Sequence, residues 1–399
     1  MEDKKSSPAA KRTGGTIRAV RPTTGGQSLK GDVLPGGVAK SQRMGANDGS
    51  QKNSSRRKVS PGPNRFATLK LEKVEAPILP IDQVPTERSK IVMRRFATMA
   101  VQKGIHAILQ EFNDLKVVCP NATQVKHEAF DKNPEKNRYK DIVCVETTRV
   151  PLFWPQNSSS DYIHANWVRG FPELQKQIIC TQGPIPKTIE DFWRMIWQEK
   201  ASVIVMLCCV MEGGKKKCEQ YWPEKVGDKM HSAGLEIFNE RIETFSPDLQ
   251  YTKLIITGTG HDGGVRRHTV NHVLWDGWPD KGVPLSSTGA LRLIFRTQTL
   301  SPAVIHCSAG VGRTGTIVAL EICMRILNAG SELSVYNVIK ELRSRRYLAC
   351  QTDLQYLYVH RAILAFITSK NIVSNEEIAK FVLEYEELVK QRNAMGGSG

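Results

Sequence analysis

A cysteine and an arginine stand six positions apart in the stretch VIHCSAGVGRTG, residues 304–315. The β-branched residues before Cys307 predict a short strand, and TGTIVALEI after Arg313 predicts the start of a helix. A glycine-containing loop between a strand and a helix N-terminus gathers backbone N–H groups and the positive end of the helix dipole. Arg313 adds a planar fork that can grip two oxygens of an oxyanion. The stretch therefore predicts a phosphate-binding loop.

The cysteine of this loop lies in the same positive field. Thiolate is the nucleophilic form of cysteine, and a helix N-terminus with a nearby guanidinium stabilises it. The loop could therefore bind an oxyanion and also ionise Cys307, the group that attacks it. It lacks the Lys and Ser/Thr of the nucleotide-binding pattern G-x-x-x-x-G-K-[ST]. A buried structural cysteine beside a turn is the alternative interpretation.

Strand and helix patterns surround the loop. Helical periodicity covers 91–109, with an interruption at Gly104, and returns at 189–197, 317–326 and 335–342. A further helix begins with a capping box of Ser374 and Glu377 and carries a single apolar stripe. Runs rich in β-branched residues predict strands at 177–184, 201–209, 252–258 and 266–275. Together these patterns predict an α/β (α+β) fold, with the loop between a strand and a helix N-terminus.

The charge of the chain is concentrated at its start. Residues 1–70 hold 15 Lys/Arg and 4 Asp/Glu, so they carry +11 of the total +16. This stretch is rich in Gly, Ser, Thr and Pro and predicts a disordered tail, because it has too few apolar residues to offset its ordering entropy. The alternative is an electrostatic anchor for an acidic partner, a membrane surface or nucleic acid, without specific recognition of nucleic acid. Ser60, which follows three basic residues and precedes a proline, is a candidate phosphorylation site that would lower this charge.

The cysteines and the apolar runs indicate a cellular compartment. The start of the chain has no signal-peptide pattern, and the longest apolar run, 201–211, is too short to span a bilayer as a helix. The nine cysteines are odd in number and scattered, and no C-x-x-C pair suggests a metal site. We therefore expect a cytoplasmic protein, with the basic tail allowing access to the nucleus.

With these features in place, the loop resembles the signature of the protein-tyrosine phosphatases. Further stretches match that family in the expected order: KNRYKD (136–141), DYIHANW (161–167), TQGP (181–184), DFW (191–193), KCEQYWP (217–223), WPDKGVP (278–284) and QTDLQ (351–355). The resemblance implies one catalytic domain of the tyrosine-specific, non-receptor type, with a central, highly twisted mixed β-sheet flanked by helices. The expected division is a basic tail at 1–70, a linker at 71–89, the catalytic domain at 90–370, a helix at 371–392 and a flexible tail at 393–399.

The resemblance also implies the catalytic roles. Cys307 would attack the phosphorus of phosphotyrosine to form a phosphocysteine, Arg313 would clamp the phosphate, and Asp280 would be the mobile general acid and base. Thr314 would hydrogen-bond the leaving sulfur, and His306 would orient the loop and support the thiolate. Backbone donors would come from Ser308, Ala309, Gly310, Val311 and Gly312. The hydrolytic water would be placed by Gln351 and Gln355. Glu212 would pair with the arginine, and Lys217 would meet the acid loop. No cofactor or metal is expected, because thiolate, arginine and carboxylate complete the chemistry.

Substrate choice is expected to depend on KNRYKD. Tyr139 would line a deep slot for the substrate ring, and Asp141 would hold the peptide backbone of phosphotyrosine-containing proteins. The chain departs from the family pattern at His164, Trp167 and Lys281, which could change the rate of the reaction. The alternatives are a phosphotyrosine-binding pseudophosphatase and a phosphoinositide phosphatase, although the catalytic Cys, Asp and Arg are all present and the loop carries no lysine.

Overall fold

The computed structural model describes residues 78–260, 263–279 and 282–396, with the side chains of 393–396 left out. The predictions for the basic tail, for Ser60, and for Asp280 and Lys281 therefore lie outside the described residues.

The strands alternate with helices along the described part of the chain. The strands are β1 Ala165–Val168, β2 Ile178–Thr181, β3 Val203–Met206, β4 Met211–Glu212, β5 Lys215–Lys216, β6 Lys229–Ser232, β7 Leu235–Ser246, β8 Leu249–Thr259, β9 Val265–Trp275 and β10 Ala303–His306. The helices are α1 Glu87–Val118, α2 Glu128–Asp131, α3 Ile189–Gln198, α4 Thr288–Thr297, α5 Gly312–Asn328, α6 Val335–Arg345, α7 Asp353–Ser369 and α8 Asn375–Gly396.

Eight of these strands form one mixed sheet in the order β1-β2-β10-β3-β9-β8-β7-β6. The pairs β2–β10, β10–β3 and β3–β9 are parallel, and the outer pairs are antiparallel. Strand β10 is thus held between two parallel neighbours, and all four of its residues are buried. Loops that follow the carboxyl ends of parallel strands form the usual ligand-binding edge of such a sheet. The loop after β10 stands at this edge.

The helices follow the apolar stripes of the sequence. Helix α3 forms where the periodicity predicts it, but residues 191–197 are all buried, so the helix is covered on every side rather than on one face. Helix α1 is interrupted at Gly104, whose φ of 70° and ψ of 170° lie outside the helical region. In α8 the stripe residues Ile378, Phe381, Tyr385 and Val389 are buried against the rest of the domain, because α8 packs on α1 and α7.

One large apolar core joins the sheet to its helices, and β10, α5 and α7 contribute almost fully buried segments to it. A mixed sheet flanked by helices, with the loop between β10 and α5, confirms the predicted α/β class.

Candidate active site

The loop from Cys307 to Gly312 joins the buried end of β10 to the first turn of α5. The backbone N–H of Gly310 donates a hydrogen bond to Cys307 Sγ at 3.2 Å. Gly310 has a φ of +69°, and a Cβ atom there would stand 1.9 Å from the carbonyl oxygen of Thr181. Only glycine fits this position, because a side chain would meet both a strained backbone and a neighbouring strand. The local sequence thus curls the loop around the sulfur.

Arg313 is held rigidly beside the loop by Glu212. Its Nη1 and Nη2 donate to the two carboxylate oxygens at 2.6 and 2.8 Å, and Nη1 also donates to the carbonyl of Leu207 at 2.9 Å. Glu212 is itself fixed by the backbone N–H of Cys209 at 3.0 Å. Burial disfavours the charge, but the bonds to Glu212 outweigh it and raise the pKa of Arg313. The guanidinium is therefore a fixed positive charge with its fork already oriented.

A second arginine fixes the loop from beneath. Arg346 is fully buried and donates from Nε to the carbonyl of Gly310 at 3.0 Å and from Nη2 to the carbonyl of Ala309 at 2.9 Å. Its Nη1 donates to Asn166 Oδ1 at 2.8 Å and to His164 Nδ1 at 3.0 Å. This role is not evident from the sequence, since Arg346 is one of several basic residues at the end of a helical pattern.

His164, one of the departures from the family pattern, belongs to this clamp. Its Nδ1 accepts from Arg346, so its Nε2 carries the proton and donates to the carbonyl of Ile142 at 2.8 Å. Burial, together with the charge of Arg346, lowers the pKa of His164 to about 3. The imidazole is therefore neutral and serves as an acceptor.

His306 supports the backbone of the loop. Its Nδ1 lies 3.2 Å from the carbonyl oxygen of Cys307, and its Nε2 lies 2.7 Å from the hydroxyl of Tyr221, which is also 2.8 Å from Nε2 of His272. A carbonyl can only accept, so Nδ1 donates to it and Nε2 accepts from Tyr221. Burial lowers the pKa of His306 to about 4, which keeps this neutral arrangement. These bonds fit the predicted role of His306 in orienting the loop, but neither of them reaches Cys307 Sγ, so they give no direct support to the thiolate.

The predicted specificity segment forms one wall of the site. Arg138 Nε donates to the carbonyl of Gly183 at 3.0 Å, and the N–H of Gly183 donates to the carbonyl of Ser308 at 2.9 Å. The hydroxyl of Tyr139 lies 2.8 Å from Ser308 Oγ, which donates to the carbonyl of Lys217 at 2.9 Å. Tyr139 is therefore fixed next to the loop, although its side chain is partly exposed.

A cavity of about 320 Å³ opens above the cysteine. It collects most of the residues that the sequence singled out. They are Tyr139, Asp141, Glu212, Lys217, Cys307, Ser308, Ala309, Gly312, Arg313, Gln351 and Gln355, with Ile142 in addition.

The remaining predicted residues stand behind or beside this cavity. Gly310 and Val311 are buried in the loop, and His306 is buried below it. Thr314 is also buried, and its hydroxyl has no hydrogen-bond partner among the described residues, so the expected bond to the sulfur is not formed in this structure.

The two glutamines sit where α7 begins. Gln355 Oε1 accepts from the backbone N–H groups of Gln351 at 2.8 Å and Thr352 at 3.3 Å, while Thr352 caps the helix. A Cβ on Gly312 would lie 2.9 Å from Gln355 Nε2, so the amide rests directly against the loop. Gln351 is exposed and faces the cavity.

The segments that flank Asp280 reach the site, although Asp280 itself is outside the described residues. The carbonyl of Pro279 accepts from Arg313 Nη2 at 3.3 Å. Trp278 Nε1 donates to the carbonyl of Gly282 at 3.1 Å, which brings the two ends of this short segment together. Further along, the buried Tyr385 of α8 donates to the carbonyl of Pro284 at 2.6 Å. The described residues on either side of Asp280 are thus held together, and Pro279 lies beside Arg313.

Other cysteines lie in environments unsuited to nucleophilic chemistry. Burial raises the pKa of Cys144 to about 11 and the pKa values of Cys180 and Cys350 to about 12. None of these three lines the cavity, whereas Cys307 does.

The fold and the site together define an α/β domain whose anion-binding loop surrounds a cysteine. Residues 133–365 match the family model described as protein-tyrosine phosphatase. This match covers more than half of the chain, and the protein belongs to the protein-tyrosine phosphatase family. The expectation drawn from the loop and its accompanying motifs is thereby confirmed.

Similar curated proteins include both non-receptor and receptor-type members. The human tyrosine-protein phosphatase non-receptor type 9 is 34% identical over 287 residues, 67% of this chain and 47% of that protein. The mouse receptor-type tyrosine-protein phosphatase C is 34% identical over 289 residues, 70% of this chain and 22% of that protein. The chain thus spans about half the length of the first relative and less of the second. Within the described ranges, no helix is both long enough and apolar enough to cross a membrane.

Proposed function

We propose that this protein hydrolyses phosphotyrosine in proteins through a phosphocysteine intermediate. The observation that carries the proposal is the position of Cys307 at the base of a cavity whose wall also holds Arg313, with its fork fixed by Glu212. A phosphoryl group that enters this cavity meets a nucleophile and a matched charged clamp at the same point.

In the first step the sulfur of Cys307 attacks phosphorus, and the bond from phosphorus to the tyrosine oxygen breaks. Arg313 and the N–H groups of the loop stabilise the charge on the phosphoryl oxygens. Asp280 donates its proton to the leaving phenolate. Its neighbour Pro279 supports this role, because the carbonyl of Pro279 accepts from Arg313 at the cavity.

In the second step water attacks the phosphocysteine. Gln351 and Gln355, which share one end of the cavity, position this water, and Asp280 takes its proton. The bond from sulfur to phosphorus breaks, phosphate leaves, and the thiolate of Cys307 returns. The buried hydroxyl of Thr314 has no partner among the described residues, so it is available to hydrogen-bond that sulfur.

Selectivity for tyrosine follows from the wall formed by Tyr139. An aromatic side chain that stands beside the loop can stack on the substrate ring, and a phosphoserine side chain is too short to bring its phosphate past this wall to the sulfur.

We also propose the division of the chain into the basic tail at 1–70, the linker at 71–89, the catalytic domain at 90–370, the helical segment at 371–392, which contains most of α8, and the end segment at 393–399, into which α8 continues as far as Gly396. The family match falls inside the third of these. A non-receptor protein of the cytoplasm, with the basic tail directed at an acidic partner or membrane surface, agrees with the free cysteines and with one of the relatives. Limited proteolysis with mass spectrometry tests the boundaries, and cell fractionation tests the location.

The deciding experiment measures release of phosphate by the full chain from phosphotyrosine and phosphoserine peptides of one sequence and from phosphoinositide vesicles. Hydrolysis of the phosphotyrosine peptide alone is expected. Cys307→Ser should abolish it, with Cys119→Ser, a cysteine that does not line the cavity, as the matched control. Asp280→Asn should lower kcat by about 10²- to 10⁴-fold, and Asp276→Asn on the same connection is its control.

Each alternative has its own result in this experiment. Binding of phosphotyrosine without turnover would establish a pseudophosphatase, and faster hydrolysis of the vesicles than of the peptide would establish a phosphoinositide phosphatase. Full activity of Cys307→Ser would exclude the proposed mechanism.

A further inference from the structure

A tight hairpin with lysines stands at the edge of the cavity. Strands β4 and β5 are joined by Gly213 and Gly214, whose φ values of 53° and 72° are both positive. Two successive positive φ values are typical of a type I′ turn, which sets the register of a two-residue hairpin. The register pairs Met211 with Lys216 and Glu212 with Lys215.

This register assigns each lysine to one face of the hairpin. Side chains of directly paired residues project from the same face, with Cβ atoms about 4.5–5.5 Å apart. Glu212 turns into the active site to hold Arg313, so Lys215 projects from the face that carries Glu212. Lys217, two positions further along the chain, lines the cavity, which agrees with this alternation.

Lys216 belongs to the opposite face. It pairs with Met211 across the hairpin, and its Nζ donates to Glu219 Oε2 at 2.6 Å. The two neighbouring lysines are therefore chemically alike but differ in direction and in pairing.

The charge of Lys215 is not neutralised by the protein. The Lys215 side chain is exposed, and its ammonium forms no ion pair or hydrogen bond with any residue of the described ranges. Glu212, the carboxylate opposite it, is already occupied by both nitrogens of the Arg313 fork. An unpaired ammonium beside a cavity attracts a carboxylate on a molecule that binds there.

The hairpin also adjoins the wall that a bound peptide would cross. Ser308 Oγ connects the carbonyl of Lys217 with the hydroxyl of Tyr139, at 2.9 and 2.8 Å. An extended peptide rises about 3.3 Å per residue. Side chains within about two residues of the phosphotyrosine therefore lie within about 7 Å of it along the peptide, and we expect those on this side of the cavity to approach Lys215.

We propose that Lys215 is a specificity-determining residue, which selects phosphotyrosine peptides that carry an Asp or Glu within about two residues of the phosphotyrosine. The inference rests on the proposed function for the identity of the phosphorylated group.

The test uses phosphotyrosine peptides that differ only by Glu or Gln at each of the two positions on either side of the phosphotyrosine. The ratio of kcat/KM for the Glu and Gln peptides is measured with the full-length protein and with Lys215→Gln, Lys215→Glu and Lys216→Gln. The same peptides are titrated against these proteins in the Cys307→Ser background, which reports binding without turnover. Each measurement is made at about 0.05 M and about 0.5 M salt, since salt screens exposed charges.

For at least one position, the wild-type protein should prefer the Glu peptide by up to about fivefold at low salt, the range of an exposed ion pair. Lys215→Gln should bring the ratio to one, Lys215→Glu should invert it, and Lys216→Gln should preserve it. High salt should weaken the preference.

Equal kcat/KM and equal binding of Glu and Gln peptides at all positions would overturn the inference. So would a loss of preference in Lys216→Gln equal to that in Lys215→Gln. If no peptide is hydrolysed, the proposed function fails, while the binding titrations still decide whether Lys215 selects an acidic neighbour.

Discussion

Replacement of Arg346 by lysine should loosen the backbone of the loop at residues 309 and 310 while keeping a positive charge beneath it. Arg346 donates to four neutral acceptors, which are two loop carbonyls, an amide oxygen and an imidazole nitrogen. A lysine ammonium is a single point on a shorter side chain and cannot span both groups of acceptors. We expect at least two of these bonds to be lost.

The magnitude follows from the number of bonds and from burial. A hydrogen bond from a charged donor contributes about 1.5–3 kcal/mol, so two lost bonds at this fully buried site should lower the free energy of unfolding by about 3–6 kcal/mol. The effect on catalysis has a separate cause. The peptide unit whose carbonyl belongs to Ala309 carries the N–H of Gly310, which faces Cys307 Sγ.

In a trans peptide the C=O and N–H point in opposite directions. Arg346 therefore fixes the N–H at the sulfur by holding the carbonyl on the other side. Loss of one preorganised donor costs up to about 10²- to 10³-fold in kcat, and a loosened donor should cost about 10- to 100-fold within that limit.

The assay is kcat on a phosphotyrosine peptide at a temperature where circular dichroism shows the variant to be folded, together with urea denaturation. Arg325→Lys is the matched control, because Arg325 is also buried and donates to the carbonyls of Leu79 and Gln298, about 20 Å along α5 from the loop. It should lose stability but keep kcat. If Arg346→Lys loses stability but also keeps kcat, Arg346 does not orient the Ala309–Gly310 peptide unit for catalysis.

Three further perturbations have defined outcomes. Gly310→Ala should abolish activity, because its Cβ would collide with Thr181, whereas Gly104→Ala, with φ +70° and no atom within 4 Å, should cost only modest stability in thermal melts. Glu212→Gln should weaken inhibition by inorganic phosphate and lower kcat/KM by about 10- to 100-fold, since one charge-assisted bond to Arg313 is lost; an unchanged inhibition constant would contradict this. Burial holds the pKa values of four histidines at about 3 or 4, below those of the unfolded chain, so the unfolded chain binds more protons and stability is lost as pH falls from about 6.5 to 4. Each histidine should contribute about 1.4 kcal/mol per pH unit in that window. A urea midpoint that stays constant as the pH is lowered from 6.5 to 5 would exclude this contribution. These histidines are His164, His272, His306 and His360.

The sequence predicted the strands and helices that have a clear period. Strands β2, β3, β8, β9 and β10 lie within or overlap the predicted runs, as do helices α1, α3, α5, α6 and α8, whereas α4 and α7 were not predicted. Strand β7, Leu235–Ser246, was not predicted. Its first half alternates buried residues with partly exposed ones, and its second half is largely open to solvent. Polar side chains on the open half mask the alternation that a one-sided strand would show.

The candidate site was predicted most completely where its residues are close in sequence. Cys307 and Arg313 belong to one loop, and the chemistry of that loop follows from residue type and spacing alone. The pairing of Arg313 with Glu212, 101 positions away, came from the family resemblance, and the structure shows the contact itself. The role of Arg346 was missed, because its four partners come from two other segments of the chain.

The sequence alone was enough to predict a phosphate-binding loop with a nucleophile in it, because a strand, a glycine-containing turn and a helix start are local features. Only the tertiary structure decided how that loop is held. The loop and its arginine are held by neutral His164 and His306, by buried Arg346 and by the fixed Glu212. The orientation and protonation of these side chains depend on burial and on partners distant in sequence. Only the hairpin register, likewise, distinguishes Lys215 from Lys216, since adjacent residues of a strand face opposite sides.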